Sequence, residues 1–210
     1  MHKVTRCFVL ILLTTFAAAQ DHSQRFELFT GYSYINGSLG APLNLVSSNV
    51  NLHGWNSSFG TKVIPHLRVV ADFGGNYASP TAMTACLAGT LPLHCDVPLH
   101  SRLYNFLFGP QVEMNAGKVT PFARLLFGVG HVVEVPGVPA PGNGVLLNSG
   151  SVSDTGFAFA AGGGMNYMFT ERFGVRGQAE LLHDRLFTNP DFNIGAQNDF
   201  RFSTGLVVRF

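Results

Sequence analysis

Apolar and polar side chains alternate along most of this chain with a period of two. That is the spacing of strands whose two faces meet different surroundings. Residues 25–35, RFELFTGYSYI, set Phe26, Leu28, Thr30, Tyr32 and Tyr34 against Arg25, Glu27, Phe29, Gly31 and Ser33. The same alternation recurs over 52–64, 67–77, 102–114, 119–133, 156–169, 173–185 and 199–210. In 199–210, Phe200, Phe202, Thr204, Leu206, Val208 and Phe210 alternate with Asp199, Arg201, Ser203, Gly205 and Arg209. The pattern is imperfect in 119–133, where Phe122 and Leu126 share a face with Arg124. Helical spacing fits these segments less well, and glycines recur where a helix interior would be weakened.

The connections alternate in length. Those at 65–66, 115–118 and 170–172 are short, and those at 36–51, 78–101, 134–155 and 186–198 are long. Charge follows parity. Glu27, Lys62, Arg68, Asp72, Glu113, Arg124, Arg176, Glu180, Asp184, Arg201 and Arg209 all fall on the glycine-rich, polar face. Arg102 departs from the rule at a strand end. A Lys or Arg facing lipid at the bilayer midplane costs about 2–4 kcal/mol, so such segregation suits strands that cross a membrane. These features predict an all-β fold, an eight-stranded antiparallel up-and-down transmembrane β-barrel, with both termini at the short-turn, periplasmic end. The competing reading, an exported soluble β-sandwich, would have to bury too many aromatics in one small core.

Composition points the same way. Charged residues are 12% of the 210-residue chain, where soluble domains average roughly 25%. Phe alone numbers 19, and mean hydropathy is +0.22. Disordered chains are charge-rich and aromatic-poor, so disorder is excluded. The net charge of +1 and the lack of a Lys/Arg run speak against a nucleic-acid partner. His2, Lys3 and Arg6 precede the apolar stretch CFVLILLTTFAAA, and Ala17-Ala18-Ala19 forms an A-x-A site. Residues 1–19 therefore read as a secretory signal peptide and 20–210 as the mature barrel domain. No later apolar run approaches the length of about 18 residues that a spanning helix needs.

Taken together, the opening strand RFELFTGYSYI, the pair GWNSSFGTKV and LRVVADFGGNY, and the segments LFGPQV, PFARLLFGVG, GGGMNYMF and FRFSTGLVVRF resemble the OmpA-like outer-membrane β-barrel domain of eight strands. The resemblance covers nearly all of 25–210. It implies residence in the cell outer membrane and a porin-like exterior against outer-membrane lipid and lipopolysaccharide. It also implies biogenesis through the barrel-assembly machinery. Phe202, Leu206, Val208 and the terminal Phe210 look like the C-terminal signal that this machinery reads. No peptidoglycan-binding domain follows Phe210, so wall anchoring is not implied.

Candidate chemistry is sparse. Cys86 and Cys95, in CLAGTLPLHC, remain as an even pair once Cys7 is removed, and an oxidising compartment lets a disulfide persist. His94 beside Cys95 matches no zinc-ligand spacing, so neither metal nor cofactor is expected. His131 and His183 have the outward parity of a lipid-modifying enzyme's site. Neither has a Ser two residues on, and Asp184 must face away from its neighbour His183. No catalytic residues are assigned. The interior charges Glu27, Asp72, Glu113, Arg124, Arg176, Glu180 and Arg201 are expected to form a network, with Arg124 and Arg176 at mid-barrel. Which acid meets which arginine depends on strand stagger. The expected function is a monomeric structural or surface-recognition barrel with a polar, plugged interior and long extracellular loops. A small-solute channel is the alternative, and a lipid-modifying enzyme the third reading.

Overall fold

The computed structural model describes residues 25–37, 50–88, 91–114, 116–136, 145–146, 151–186 and 197–210. The strands are β1 (Phe26–Gly37), β2 (Val50–Ile64), β3 (Leu67–Ala78), β4 (Thr81–Ala88), β5 (Leu91–Glu113), β6 (Val119–Pro136), β7 (Val145–Leu146), β8 (Val152–Met168), β9 (Phe173–Asp184) and β10 (Gln197–Arg209). Eight of them pair antiparallel in the order β3-β2-β1-β10-β9-β8-β6-β5, and the β3–β5 pairing closes the ring. Closure removes the unpaired strand edges that could not survive in lipid.

The register sets the stagger. From Ile35 the partners run through Arg201, Glu180, Gly162, Arg124, Gln111, Arg68 and Lys62. The Lys62 amide then bonds the Arg25 carbonyl, ten residues down β1 from the start. Such a shear tilts every strand across the wall and brings residues of distant sequence to one depth. The two-residue turn at Pro65-His66 places His66 at φ 72°, and Gly117 takes φ 70° in the next short turn. The start of β1 and the residue after β10 are tied by paired backbone bonds between Phe26 and Phe210, at 2.9 and 3.0 Å.

Parity divides the side chains as the alternation requires. Phe73, Phe106, Phe108, Leu125, Phe127, Leu181, Phe202 and Leu206 point outward and are exposed, the last at 61%. An unbroken belt of such residues has no place in water and suits the hydrocarbon of a bilayer. The other face is buried inside the ring.

Two features depart from expectation. The segment 78–101, read as a long loop, contains β4 and the first part of β5, paired from Thr81↔Pro98 to Ala88↔Leu91. This hairpin extends the barrel wall beyond its neighbours at the long-connection end, and β7 adds to it through Cys86↔Leu146 and Leu87↔Val145. Residues 91–100 alternate apolar with polar, but Pro92 and Pro98 fall in the run, and proline is unusual inside a paired strand. The interior is also not uniformly polar. Ile35, Val50, Leu52, Leu103, Val132, Leu182 and Leu186 form one buried apolar cluster with Val70, Leu107 and Leu126. Most of its members lie toward the outer ends of their strands, while Val70, Leu107 and Leu126 reach down to the level of Asp72 and Arg124. In a barrel of this width side chains fill the lumen, and Leu fills volume as well as a polar group does.

Candidate functional site: the charged interior

All seven arginine and acid residues assigned to the interior from sequence lie inside the barrel, each no more than 3% exposed. The structure separates them into two groups. At mid-barrel, Arg124 and Arg201 enclose Asp72 and Glu180. Arg124 donates from Nε to Glu180 Oε1 and from Nη2 to Glu180 Oε2 at 2.9 Å. Arg124 Nη2 also pairs with Asp72 Oδ2 at 3.0 Å. Arg201 donates from Nε to Glu180 Oε2 at 2.8 Å and pairs through Nη2 with Asp72 Oδ1 at 3.0 Å. Two cations thus meet two anions, each ion touching both opposite partners. Asn56 donates to Asp72 Oδ1 at 2.9 Å and accepts from Gln178 at 3.0 Å, extending the web across the lumen. Buried charges of this kind persist when paired, and each ion of the quartet is paired, although Arg124 Nη1 and Arg201 Nη1 are buried without a hydrogen-bond partner.

The second group lies toward the short-turn end and is built on Glu27. Arg176 Nη2 donates to Glu27 Oε1, and Arg209 Nε donates to Oε2 at 2.8 Å. Arg68 stands 4.0 Å from the same carboxylate and pairs with Glu113 at 3.2 Å. Arg176 is therefore not at mid-barrel, and Glu180 is not its partner. The shear moves β9 relative to β1 so that Glu27 comes to it instead. Arg176 also donates to Asn166 at 2.7 Å, and its guanidinium lies 5.1 Å from the Phe29 ring and 4.6 Å from the Phe122 ring. These contacts account for Phe122, which broke the alternation, and for Phe29 on the polar face of β1: both rings lie against a cation inside the lumen. Arg68 and Arg209 belong to this group although they were not singled out as site residues. Their polar-face parity was the available signal.

Three arginines face two acids here, so Arg176→Met leaves a balanced set of Arg68, Arg209, Glu27 and Glu113. We expect it to cost clearly less in urea unfolding than loss of Arg124. A penalty for Arg176→Met equal to that for Arg124→Met would show that charge balance does not govern the interior.

His131 and His183 are each engaged by a neighbouring polar side chain. His131 Nδ1 bonds Thr155 Oγ1 at 2.7 Å, and His183 Nδ1 donates to Asn198 Oδ1 at 2.7 Å. Asp184 is buried in the lumen, on the far side of the wall from His183. Cys86 and Cys95 lie on the paired strands β4 and β5, opposite Leu93 and Thr84 respectively. The register puts them at diagonal positions of the ladder, where antiparallel neighbours stand about 7–8 Å apart, so a bridge requires the backbone to shift. Their side chains lie outside the described residues, as do the expected signal peptide and most of the long connections 36–51, 134–155 and 186–198. Mass spectrometry of unreduced peptides is expected to find Cys86 linked to Cys95; free alkylatable thiols in envelope-purified protein would refute the bridge.

Phe202, Leu206 and Val208 lie on the outward face of β10, and the ring of Phe210, which follows it, lies 5.8 Å from that of Phe26 at the β1–β10 seam.

No family model matches this chain, and no curated protein matches it. Solved structures do. The attachment invasion locus protein Ail of Yersinia pestis, in complex with the heparin analogue sucrose octasulfate, aligns at TM-score 0.56 and 15% identity, over 89% of this chain and 98% of that one. Neisserial surface protein A aligns at TM-score 0.57 and 12% identity, over 90% and 98%. The outer membrane protein OprG from Pseudomonas aeruginosa aligns at TM-score 0.51 and 10% identity, over 88% and 95%. At these identities the likeness is one of fold. With its closed antiparallel ring, lipid-facing belt and charged lumen, the chain is a transmembrane β-barrel of the outer-membrane type.

Proposed function

We propose that this protein is a non-enzymatic outer-membrane barrel with a closed interior, serving a structural or surface-recognition role through its outer end. The observation that carries this reading is the filling of the lumen. The neutral quartet of Arg124, Arg201, Asp72 and Glu180 closes the middle, and the apolar cluster around Ile35, Leu103 and Leu182 lies above it. A solute or ion would have to break the first and dewet the second. Recognition falls to the β4–β5 hairpin, which stands above the rest of the wall and is buttressed by β7.

The outward belt is taken to contact outer-leaflet lipid and lipopolysaccharide, with the chain acting as a monomer. Phe202, Leu206, Val208 and Phe210 would engage the barrel-assembly machinery during insertion. Purified barrel in planar bilayers is expected to give no stable, discrete open state. A reproducible unitary conductance would replace this reading with that of a small-solute channel. Turnover of lipopolysaccharide or phospholipid by the purified protein would replace it with that of an enzyme.

A further inference from the structure

The short-turn end of the barrel carries an excess of cations. Inside the ring, Arg68, Arg176 and Arg209 share Glu27 and Glu113. At the rim, Arg25, Lys62, Lys118 and Arg172 stand against Glu171 and the Phe210 carboxylate. Glu171 and Phe210 each have contacts of their own. Among the described residues, cations therefore outnumber acids at this end even with every acid counted as paired.

Arg209 is an arginine of this group whose hydrogen bonding is incomplete. Its Nε donates to Glu27 Oε2 at 2.8 Å, while its Nη2 is buried without a partner. The residue is 7% exposed, so bulk water serves it poorly, and a buried charged donor left unmade is costly. Arg209 also lines a cleft of about 420 Å³ between the β5–β6 and β8–β9 turns. Gly117 and Lys118 form one wall, and Met168, Phe169, Thr170 and Glu171 form the other. The Met168 amide bonds the Lys118 carbonyl at 2.8 Å and holds the walls together. A Cβ at Gly117 would meet nothing within 4 Å, so the cleft is open on that side. Thr170 Oγ1 accepts from the amides of Arg172 at 3.3 Å and Phe173 at 3.0 Å, which leaves its own O–H to be donated.

We propose that this cleft binds a phosphate group, which accepts hydrogen bonds from Arg209 Nη2 and Thr170 Oγ1 and pairs with the Lys118 ammonium. Guanidinium and phosphate match in charge and in donor geometry, and their bonds are of the strong, charge-assisted kind. Donors from two walls and from the lumen side suit a tetrahedral anion, whose oxygens diverge, better than a planar carboxylate. The phosphodiester of an inner-leaflet phospholipid and dissolved phosphate offer the same oxygens. Phe169, 59% exposed, carries the cleft toward the lipid-facing belt and favours the lipid. That the cleft faces the periplasm rests on the outer-membrane reading above; its affinity for phosphate does not.

The test uses mature, isotope-labelled protein refolded in dodecyl maltoside. Sodium phosphate is titrated while the amide resonances of Gly117, Lys118 and Thr170 are followed by NMR, with sodium chloride at equal ionic strength as control. Phosphate, and not chloride, is expected to shift these resonances saturably and to leave His183, at the outer end, in place. Arg209→Gln leaves Arg68 and Arg176 balanced by Glu27 and Glu113, so the barrel is expected to fold and to lose the saturable shift. Lys118→Gln, a change on the exposed rim, is expected to raise the half-saturating phosphate concentration about threefold. A second titration with monomeric dihexanoyl phosphatidylglycerol separates the sources. Half-saturation at a lower concentration than phosphate, weakened by Phe169→Ser, assigns the site to lipid. Equal affinity, indifferent to Phe169→Ser, assigns it to dissolved phosphate. Shifts that persist in full in Arg209→Gln, or that sodium chloride reproduces, would overturn the proposal. Conductance in planar bilayers bears on the closed lumen alone and leaves this result standing.

Discussion

Replacing Arg124 by Met is expected to destabilise the barrel by about 3–5 kcal/mol, because it leaves two buried carboxylates sharing one cation. Arg124 is the residue that reaches Glu180 with two nitrogens and Asp72 with one of them. Without it, Arg201 must serve both Asp72 and Glu180. The lumen at this level admits little water, so the excess negative charge is neither solvated nor neutralised. The arrangement makes a sharper prediction for double variants. Arg124→Met with Glu180→Gln leaves Arg201 facing Asp72 alone, one cation to one anion, and part of the loss should return. Arg124→Met with Glu27→Gln should show no such recovery, because Glu27 belongs to the group toward the turns and its loss strands Arg176 and Arg209. Urea unfolding in detergent, analysed as a double-mutant cycle, measures the difference. If both second changes rescued equally, the interior would be responding to total charge and not to the pairings described.

Phe202→Arg should act through the other face. Phe202 is 41% exposed on the outward side of β10, opposite Tyr34 of β1 and Ala179 of β9. An arginine there must enter hydrocarbon or bend toward the interface, at a cost that reaches about 2–4 kcal/mol at the midplane and falls toward zero at the rim. The fitting control is Asn198→Arg, four residues up the same strand and facing the same way, at the outer end. Folding yield into lipid vesicles should drop steeply for Phe202→Arg and little for Asn198→Arg. The interior should be unaffected in both, since parity keeps either arginine out of the lumen. Equal yields for the two variants would mean that this face does not meet lipid at the depth of Phe202.

The number of barrel strands, the direction in which each residue points and the short turns at one end were legible in the chain itself. All three are local properties. A strand repeats every two residues, so Glu27, Asp72, Arg124 and Arg201 declare their face without reference to any other strand. The membrane penalty then sorts charge from apolar surface along each segment, which is why parity and charge agree. The segments that misled are also local in origin. In the β4–β5 hairpin Leu91, Leu93, Cys95, Val97 and Leu99 do alternate with Pro92, His94, Asp96, Pro98 and His100, but the apolar set has the parity that carries Glu113 lower on β5, and two prolines speak against a strand. Leu103, Leu182 and Ile35 share the parity of the charged residues but could not announce that they assemble with one another inside the ring.

What the tertiary structure alone decided is who meets whom. Glu180 joins Arg124 from 56 residues away, and Glu27 joins Arg176 from 149 away. Those meetings depend on the shear of ten residues accumulated around eight strands, a sum over every register in the sheet. A slip of two residues at one seam would preserve every parity and yet change the partners that meet across it. The stacking of Phe29 and Phe122 on Arg176, and the convergence of Asp184 and Asn105 above Gly130, are likewise products of closure. Sequence period fixes which side of the wall a residue occupies; only the closed ring fixes its height and its neighbours across the lumen.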